Sequence, residues 1–252
     1  GDRLRVGFGI YHDESHAPKL ARATVNARLG RIKRCLRWAV AQELIPPAVL
    51  EGALAIGGVR RGRTVARESE AIVPVGWREL RMTFQHLPPV VRDMIRVQYW
   101  TGIRPGELCR LSWAEIDRTQ TPWLFAPAHH KTAHHGHARA VFFGPRVRRV
   151  LAKYEGAGTC IFTPRQAVAE RRGAEPGQRI GGRYTTRSYR RAVEYACRAA
   201  GIAAWGPNRL RHARLTMLQR RFGWETAQAV GGHRRVETTS IYVLRTSKLA
   251  AE

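Results

Sequence analysis

Apolar residues recur at helical spacing near the start of the chain. Within residues 24–44 they are three or four positions apart, which predicts one amphipathic helix with an apolar stripe. The stripe consists of Val25, Leu29, Ile32, Leu36 and Val40. Pro46 and Pro47 follow and are predicted to end this helix. Four arginines surround the stripe, and they fit a solvated face and phosphate contacts equally well: Arg28, Arg31, Arg34 and Arg37.

A second kind of segment follows, because residues 57–72 lack apolar periodicity and are rich in glycine and arginine. This composition predicts an exposed linker. We therefore predict a helical domain over 1–62, a basic linker over 63–72 and a second domain over 73–252. Since a basic linker can lie along a nucleic-acid backbone, Arg60, Arg61 and Arg63 join the candidates for phosphate contacts.

The pattern of the second domain predicts helices separated by short strands. Arg104 lies in the tight turn between a helix that Gly102 ends and another that Pro105 starts. Trp123 to Phe125 and Ala138 to Phe143 predict a β-hairpin with Lys131 near its tip. The apolar run Cys160 to Phe162 predicts a further strand. The helical segments are 77–86, 89–100, 145–155, 185–200, 209–222 and 225–231. The expected fold is mainly α with a small antiparallel sheet.

The charge balance narrows the class of partner. The chain of 252 residues has 44 Lys and Arg against 19 Asp and Glu, a formal charge of +25. Such an excess favours nucleic acid, although ribosomal binding or an acidic membrane surface could use the same charge. The basic residues are spread along the whole chain, which favours a clamp around a long ligand, double-stranded DNA.

Cysteine usage and hydropathy indicate a compartment. Four cysteines are far apart, with no paired motif, and are predicted to be reduced core residues of a cytosolic protein. No apolar run approaches the roughly 18 residues of a membrane span, so we expect a cytoplasmic protein that does not contact membranes. Because the chain starts without Met, we expect further sequence before Gly1.

Five residues form a set suited to cutting a phosphodiester without a metal: Arg104, Lys131, Arg211, His233 and Tyr242. Arginine forks bind non-bridging phosphate oxygens, a phenol oxygen can attack phosphorus, and a lysine can protonate the leaving oxygen. Each residue alone has an ordinary structural explanation. Their shared presence favours phosphoryl transfer on DNA.

The sequences around these residues resemble the tyrosine recombinase (phage integrase) family. The matching boxes are TGIRPGEL, HKT before a strand, RLRHARLT and GGHRRVETTSIY, with nine residues from His233 to Tyr242. Their order and spacing agree over about 73–252. The helix at 24–44 is similar to the end of the family's core-binding domain, so the first domain is expected to be a remnant of that domain.

The resemblance implies a role for each residue. Tyr242 would attack the scissile phosphate, form a 3′-phosphotyrosyl link and expel a 5′-hydroxyl. Arg104 and Arg211 would hold the non-bridging oxygens, Lys131 would protonate the leaving oxygen, and His233 would contact the phosphate or assist proton transfer. No ATP, metal or other cofactor is implied.

The family also implies an assembly, a homotetramer on paired DNA sites, associated with the nucleoid. Its protomers would exchange C-terminal segments. This chain ends ten residues after Tyr242, so we expect a truncated tail or a different contact. Glu107, one turn after Arg104, is expected to orient a neighbouring residue, and His212 to be structural.

Asn208 departs from the family pattern, which has histidine at this position, three residues before Arg211. Asparagine can donate a hydrogen bond and is a favoured N-cap, but it carries no titrating proton. Two alternatives therefore stay open: a DNA-binding relative with impaired catalysis, and a type IB topoisomerase-like enzyme that relaxes DNA. A second departure is Gly231, where the family usually has an apolar residue.

A histidine cluster around Lys131 invites a metal site, but no cysteine is near and a hairpin tip holds no fixed geometry. The cluster is His129, His130, His134, His135 and His137. We predict no metal there. Trp113 and Leu111 lie at helical spacing with Leu108 and are predicted to be core residues rather than a platform for stacking bases.

Overall fold

The computed structural model describes residues 20–64, 66–128, 139–156, 158–169 and 180–232. In this part the protein is mostly helical with one small antiparallel sheet, which confirms the predicted fold class. The chain divides into two compact units between Ala71 and Ile72. No helix in the described ranges is long and apolar enough to cross a membrane.

The first unit contains two helices, α1 (Arg22–Ala41) and α2 (Pro47–Ala55). The helix predicted at 24–44 is present, and it ends a few residues before the prolines. Pro47 is the first residue of α2. A backbone N–H at this position has no partner within the helix, so proline fits there. Neither helix has a fully buried residue, and Ile32 of the apolar stripe is 38% exposed.

The segment expected to be a linker is tied to α1 in part. The Asn26 side chain accepts from the Val59 N–H at 2.7 Å and donates to the Val59 carbonyl at 3.1 Å. Arg22 pairs with Glu68, with Nε and Oε1 2.7 Å apart. Val59 and Glu68 therefore both lie beside the start of α1. Polar pairing of this kind leaves no apolar periodicity in the sequence.

The second unit contains seven helices and three strands among its described residues. The helices are α3 (Trp77–Phe84), α4 (Pro89–Thr101), α5 (Pro105–Leu108), α6 (Pro145–Leu151), α7 (Pro164–Ala169), α8 (Thr186–Ala199) and α9 (Asn208–Gly231). Two short 3-10 helices lie at Trp113–Glu115 and Ala152–Tyr154. Helix α9 is kinked at Gly223, whose φ of 86° only glycine adopts readily, which explains the two helices predicted there.

Helix α4 runs through the core of this unit. Val90, Val91, Met94 and Ile95 are all fully buried, and the helix packs against α9 and α6. Continuous burial on several faces is expected of a central helix. The predicted core residues Leu108 and Leu111 are buried, and Trp113 packs on the same cluster. The core therefore fixes the C-terminal end of α4, where the arginine box begins.

The sheet has the order β1 (Ile116–Asp117), β2 (Trp123–Phe125) and β3 (Val141–Phe143), with antiparallel neighbours. In β2 and β3, Leu124 is opposite Phe142, so the two predicted hairpin strands pair. Strand β1 was not predicted. Phe125 and Phe143 turn inward and stack with ring centroids 5.8 Å apart, which anchors the sheet on the helices.

One sequence prediction is wrong in this unit, and another is confirmed only in part across the chain. Residues 160–162 form bends rather than a strand. Ile161 and Phe162 are buried, so the apolar run signals burial, and the Ile161 N–H donates to the Leu111 carbonyl at 2.9 Å. The expectation that the cysteines are core residues holds for Cys109 and Cys197, whereas Cys35 is exposed and Cys160 is half-buried.

Candidate functional site: two arginine boxes around a buried glutamate

The first arginine box lies in the turn between α4 and α5. Gly102 ends α4 with a φ of 68°, the left-handed conformation that glycine adopts without cost. Arg104 is extended (φ −68°, ψ 142°) and directly precedes Pro105. Its side chain is 19% exposed. The turn thus mounts a guanidinium at the surface on a backbone fixed by buried helices.

Glu107 holds this turn together and pairs with two arginines. Its Oε2 accepts from the Arg104 N–H at 3.1 Å, and its Oε1 accepts from Arg104 Nη1 at 2.7 Å. Arg139 Nε lies 3.6 Å from Oε2. Both Glu107 and Arg139 are only 3% exposed in their side chains. The three residues form an arginine–glutamate–arginine triad, named here the Glu107 triad, in which Glu107 and Arg139 are buried and Glu107 pairs with its neighbour Arg104.

Opposing effects set the pKa of Glu107. Burial alone would raise it, because a charged carboxylate loses hydration. The positive charge of Arg139, the Arg104 hydrogen bonds and the Arg104 charge act the other way and together keep the pKa below its ordinary value. The carboxylate is therefore charged at neutral pH.

The second arginine box connects distant parts of the chain. Arg211, in the first turn of α9, is fully buried. Its Nη1 donates to the Gly102 carbonyl at 2.6 Å, and its Nη2 donates to the Gly231 carbonyl. Gly102 lies two residues before Arg104, and Gly231 two residues before His233. One guanidinium thus fixes the arginine turn next to the end of α9.

The end of α9 is also held by Arg139. Its Nη1 donates to the Val230 carbonyl at 3.0 Å. Gly232 follows with a φ of 57°, and a Cβ at that position would overlap Arg139 Nη1. Only glycine combines this backbone conformation with so close a neighbour. Gly232 therefore has a packing reason, whereas the departure noted in the sequence is its neighbour Gly231, whose carbonyl accepts from Arg211.

Asn208 is the first residue of α9 and is exposed. His212, one turn later, is buried, with only 2% of its surface exposed. The two side chains face each other, with Asn208 Nδ2 and His212 Nε2 3.4 Å apart. The predicted N-cap role of Asn208 is wrong, because Pro207 is the cap residue and no side chain caps this helix. The amide instead forms a contact within the helix.

The sequence-predicted residues divide into two groups. Arg104, Asn208 and Arg211 are described, and Arg211 joins the backbone beside Arg104 to the backbone before His233. Lys131, His233 and Tyr242 lie outside the described residues, as does the histidine cluster at 129–137. Among the residues that the structure does describe, no group of three or more His, Cys, Asp or Glu could hold a metal ion.

The seven arginines proposed for phosphate contact in the first unit are all exposed. They are Arg28, Arg31, Arg34, Arg37, Arg60, Arg61 and Arg63. In the second unit, helix α8 carries exposed arginines that sequence reasoning did not single out: Arg187, Arg190, Arg191 and Arg198. The start of α8 adjoins the turn that carries Arg104, since a Cβ added to Gly106 would lie 3.6 Å from Thr186 Cγ2. The sequence did contain a sign of this basic surface, because these arginines lie on the face of α8 opposite its apolar residues.

Arg139 was also missed by sequence reasoning, which placed it inside the predicted strand Ala138 to Phe143 without assigning it a role. A single arginine between alanines before an apolar run carries no motif of its own. Its burial and its pairing with Glu107, far away in the sequence, appear only in the folded chain.

Comparisons with solved structures show the same fold in DNA-processing proteins. A lambda integrase dimer bound to a COC′ core site matches with a TM-score of 0.61 and 17% identity, over 88% of this chain and 59% of that one. XerA recombinase matches with a TM-score of 0.53 and 20% identity, over 92% and 83%. The Tn1549 transposon integrase in complex with circular intermediate DNA matches with 0.62 and 17%, over 92% and 78%.

The chain therefore spans 59% of the length of that lambda integrase chain. A search of curated proteins gave no significant match. The profile of the phage integrase family matches residues 79–248, which contain all the described site residues and the segments with Lys131, His233 and Tyr242. With its fold and two arginine boxes, the chain belongs to the phage integrase family of tyrosine recombinases.

Proposed function

We propose that this protein is a site-specific DNA recombinase that cuts and rejoins DNA through a phosphotyrosine on Tyr242, without metal or ATP. Family membership supports the reaction class, and the DNA-bound structures of similar fold support DNA as the substrate. The proposed working unit is a homotetramer on paired DNA sites, acting on the DNA of the cytoplasmic nucleoid.

The observation that carries the proposal is the position of Arg211. Its guanidinium holds the backbone next to Arg104 and the backbone just before the segment of His233 and Tyr242. Boxes that are far apart in sequence are thereby drawn toward one place. A phosphoryl-transfer site needs this arrangement, because its charged donors must surround a single phosphate.

The proposed chemistry begins with attack of the Tyr242 hydroxyl oxygen on the scissile phosphorus, while the phenol proton passes to His233. The bond from phosphorus to the 5′-oxygen breaks, and the 5′-oxygen takes a proton from Lys131. Arg104 and Arg211 offset the charge that develops on the non-bridging oxygens, and His233 assists at the phosphate. Attack by a 5′-hydroxyl of a second strand on the phosphotyrosine reverses these steps and joins the new strands.

The exposed arginines of both units supply the proposed DNA contacts. On α8, Arg187 and Arg191 lie within about one and a half turns of the end that adjoins the Arg104 turn. Duplex DNA whose phosphate is bound at Arg104 would pass this helix. Contacts of this type give affinity that falls steeply with salt concentration.

The test is covalent capture of DNA. Wild-type protein is mixed with a library of randomised, nicked duplexes, the reaction is stopped with detergent, and protein linked to DNA is recovered and its DNA sequenced. A nick traps the link because the short strand that carries the 5′-hydroxyl diffuses away. We expect an adduct with a restricted set of sequences, and none from Tyr242→Phe.

Other outcomes identify the alternatives. DNA binding without any adduct would contradict catalysis and leave a DNA-binding relative. Relaxation of supercoiled plasmids without site preference would instead favour a topoisomerase-like enzyme. Adducts that persist in Tyr242→Phe would show that Tyr242 is not the nucleophile.

Restoring the family's histidine at Asn208 should accelerate cleavage of the captured duplex. A general acid–base group typically contributes about 10²–10⁴ in rate, so Asn208→His should raise the single-turnover rate by about tenfold or more. Asn208→Gln is the matched control, because it keeps the amide. Equal rates for wild type and Asn208→His would show that this position takes no part in proton transfer.

A further inference from the structure

We propose that Arg139 is a positioning residue of the reaction, holding Arg104 and the start of the His233 segment in their working arrangement. It touches no substrate in this role and acts through Glu107 and through the backbone at the end of α9. The inference rests on the proposed function, since it concerns the geometry of the same site.

The positive charge that Arg104 presents depends on the other members of the Glu107 triad. Glu107 is the carboxylate that both Arg104 and Arg139 approach, at 2.7 and 3.6 Å. Without Arg139, Glu107 would neutralise Arg104 fully, and less positive charge would face a phosphate. With it, the triad keeps a net positive charge while Glu107 still fixes the Arg104 side chain.

Arg139 also contacts the end of α9. Arg139 Nη1 donates to the Val230 carbonyl at 3.0 Å and lies against Gly232, the residue before His233. The same guanidinium therefore touches the carboxylate that orients Arg104 and the backbone that leads into the His233 segment. A change of Arg139 would shift both together.

The position of Arg139 in the chain is a further constraint. Arg139 directly follows the segment 129–138, which contains Lys131, and only Ala140 separates it from β3. Because β3 is anchored in the core by Phe143, the position of Arg139 is fixed on one side. The turn with Arg104, the end of α9 and the chain that enters β3 thus meet next to a single buried side chain.

Hydrogen bonding distinguishes Arg139 from an arginine that only fills space. Its Nε and Nη2 are buried without a hydrogen-bond partner among the described residues, although Nε is close to Glu107. Burial accordingly lowers the pKa of Arg139, against the charge of Glu107. Replacing a whole buried ion-pair network by well-packed apolar side chains is often neutral or stabilising, so the burial of this triad is weak evidence for a role in stability alone. The arginine is therefore best explained by what it holds.

The test uses Arg139→Met and Arg139→Lys in the full chain, with the duplex that wild type captures covalently. Single-turnover cleavage is measured on that duplex and on one with a neutral methylphosphonate at the scissile position. Arg96→Met is the matched control, because it breaks an ion pair with buried Asp93 elsewhere in the unit. DNA affinity and urea unfolding are measured for every variant.

We expect Arg139→Met to bind DNA within about threefold of wild type and to cleave it about 10–100-fold more slowly, since a misplacement of about 1 Å can cost 10² in rate. Arg139→Lys should fall between, because a lysine reaches one partner but does not bridge two. The defect should be smaller on the methylphosphonate, which requires less positive charge from Arg104. Arg96→Met should cleave as wild type does.

Several results would overturn the inference. One is a defect of Arg139→Met that is equal on both duplexes; another is a defect that follows stability and is shared by Arg96→Met. If Arg139→Met does not fold, cleavage by Arg139→Lys at the wild-type rate would also overturn the inference. Failure of wild type to form an adduct with any duplex would instead refute the proposed function, and the inference with it.

Discussion

Replacing Arg211 by methionine should lower the free energy of unfolding of the second unit by about 2–5 kcal/mol. The side chain is fully buried and donates to the carbonyls of Gly102 and Gly231. A charge-assisted hydrogen bond contributes about 1.5–3 kcal/mol, and a buried carbonyl left without its donor costs about 1–3 kcal/mol. Because Arg211 is also a proposed phosphate ligand, cleavage of the captured duplex should fall by at least about 10²-fold.

Arg209→Met provides the matched control for this effect. Arg209 lies on the same turn of α9 and also donates to two carbonyls, those of Val73 at 2.6 Å and Pro74 at 3.3 Å, but it is only half-buried. Urea unfolding should show a loss below about 1 kcal/mol for this variant. Equal losses for the two variants would contradict the view that Arg211 holds the site together.

Replacing Glu107 by glutamine should be similarly damaging. The change leaves Arg139, which is 3% exposed, without a counter-charge, and breaking a buried ion pair costs about 3–5 kcal/mol. Cleavage should slow as well, because the Arg104 side chain loses its charged partner. Glu155→Gln is the control: Glu155 pairs with Arg118 at the surface, where both are at least half exposed, and such pairs contribute about 0–1 kcal/mol.

The loss in Glu107→Gln should depend on pH in one direction. The pKa of Glu107 is lower in the folded protein than its ordinary value, so its carboxylate stabilises the fold above the unfolded-state pKa of about 4.3. This stabilisation disappears as pH falls through the lowered pKa. Urea unfolding at a series of pH values should show a full gap between wild type and variant at neutral pH that narrows in acid. A gap independent of pH would mean that the charge of Glu107 does not matter.

Local periodicity was enough to predict most helices and the turn of the first arginine box. Gly102 ends α4 and Pro105 begins α5, because each residue has a backbone preference that the neighbouring sequence cannot override. The paired strands β2 and β3 follow in the same way from short apolar runs on either side of a polar segment. These features depend only on residues close in sequence.

The contacts between distant residues could not be predicted. Nothing near Arg139 in the sequence indicates that it meets Glu107, and nothing near Arg211 indicates that it binds the carbonyls of Gly102 and Gly231. Such pairs form because the core of α4 and α9 brings the segments together. The strand predicted at 160–162 was wrong for a related reason. Neighbouring elements bury Ile161 and Phe162, and burial does not require a strand.

The first unit shows what hydrophobic periodicity does not reveal even where it predicts a helix correctly. The apolar stripe of α1 correctly predicted a helix, yet Trp38 beside it is 59% exposed and no residue of α1 is fully buried. Periodicity reports which face of a helix is apolar, and it does not report how much of that face the unit covers. The pairing of Asn26 with Val59 uses polar groups, which no hydrophobic pattern reveals.

The central claim is that Tyr242 becomes covalently linked to DNA. The most direct measurement is mass spectrometry of the captured adduct after digestion with nuclease and protease. The claim predicts one modified peptide, with a 3′-phosphonucleotide on Tyr242, present in wild type and lost in Tyr242→Phe. A nucleotide linked to any other residue, or recovery of the DNA without a linked peptide, would contradict it.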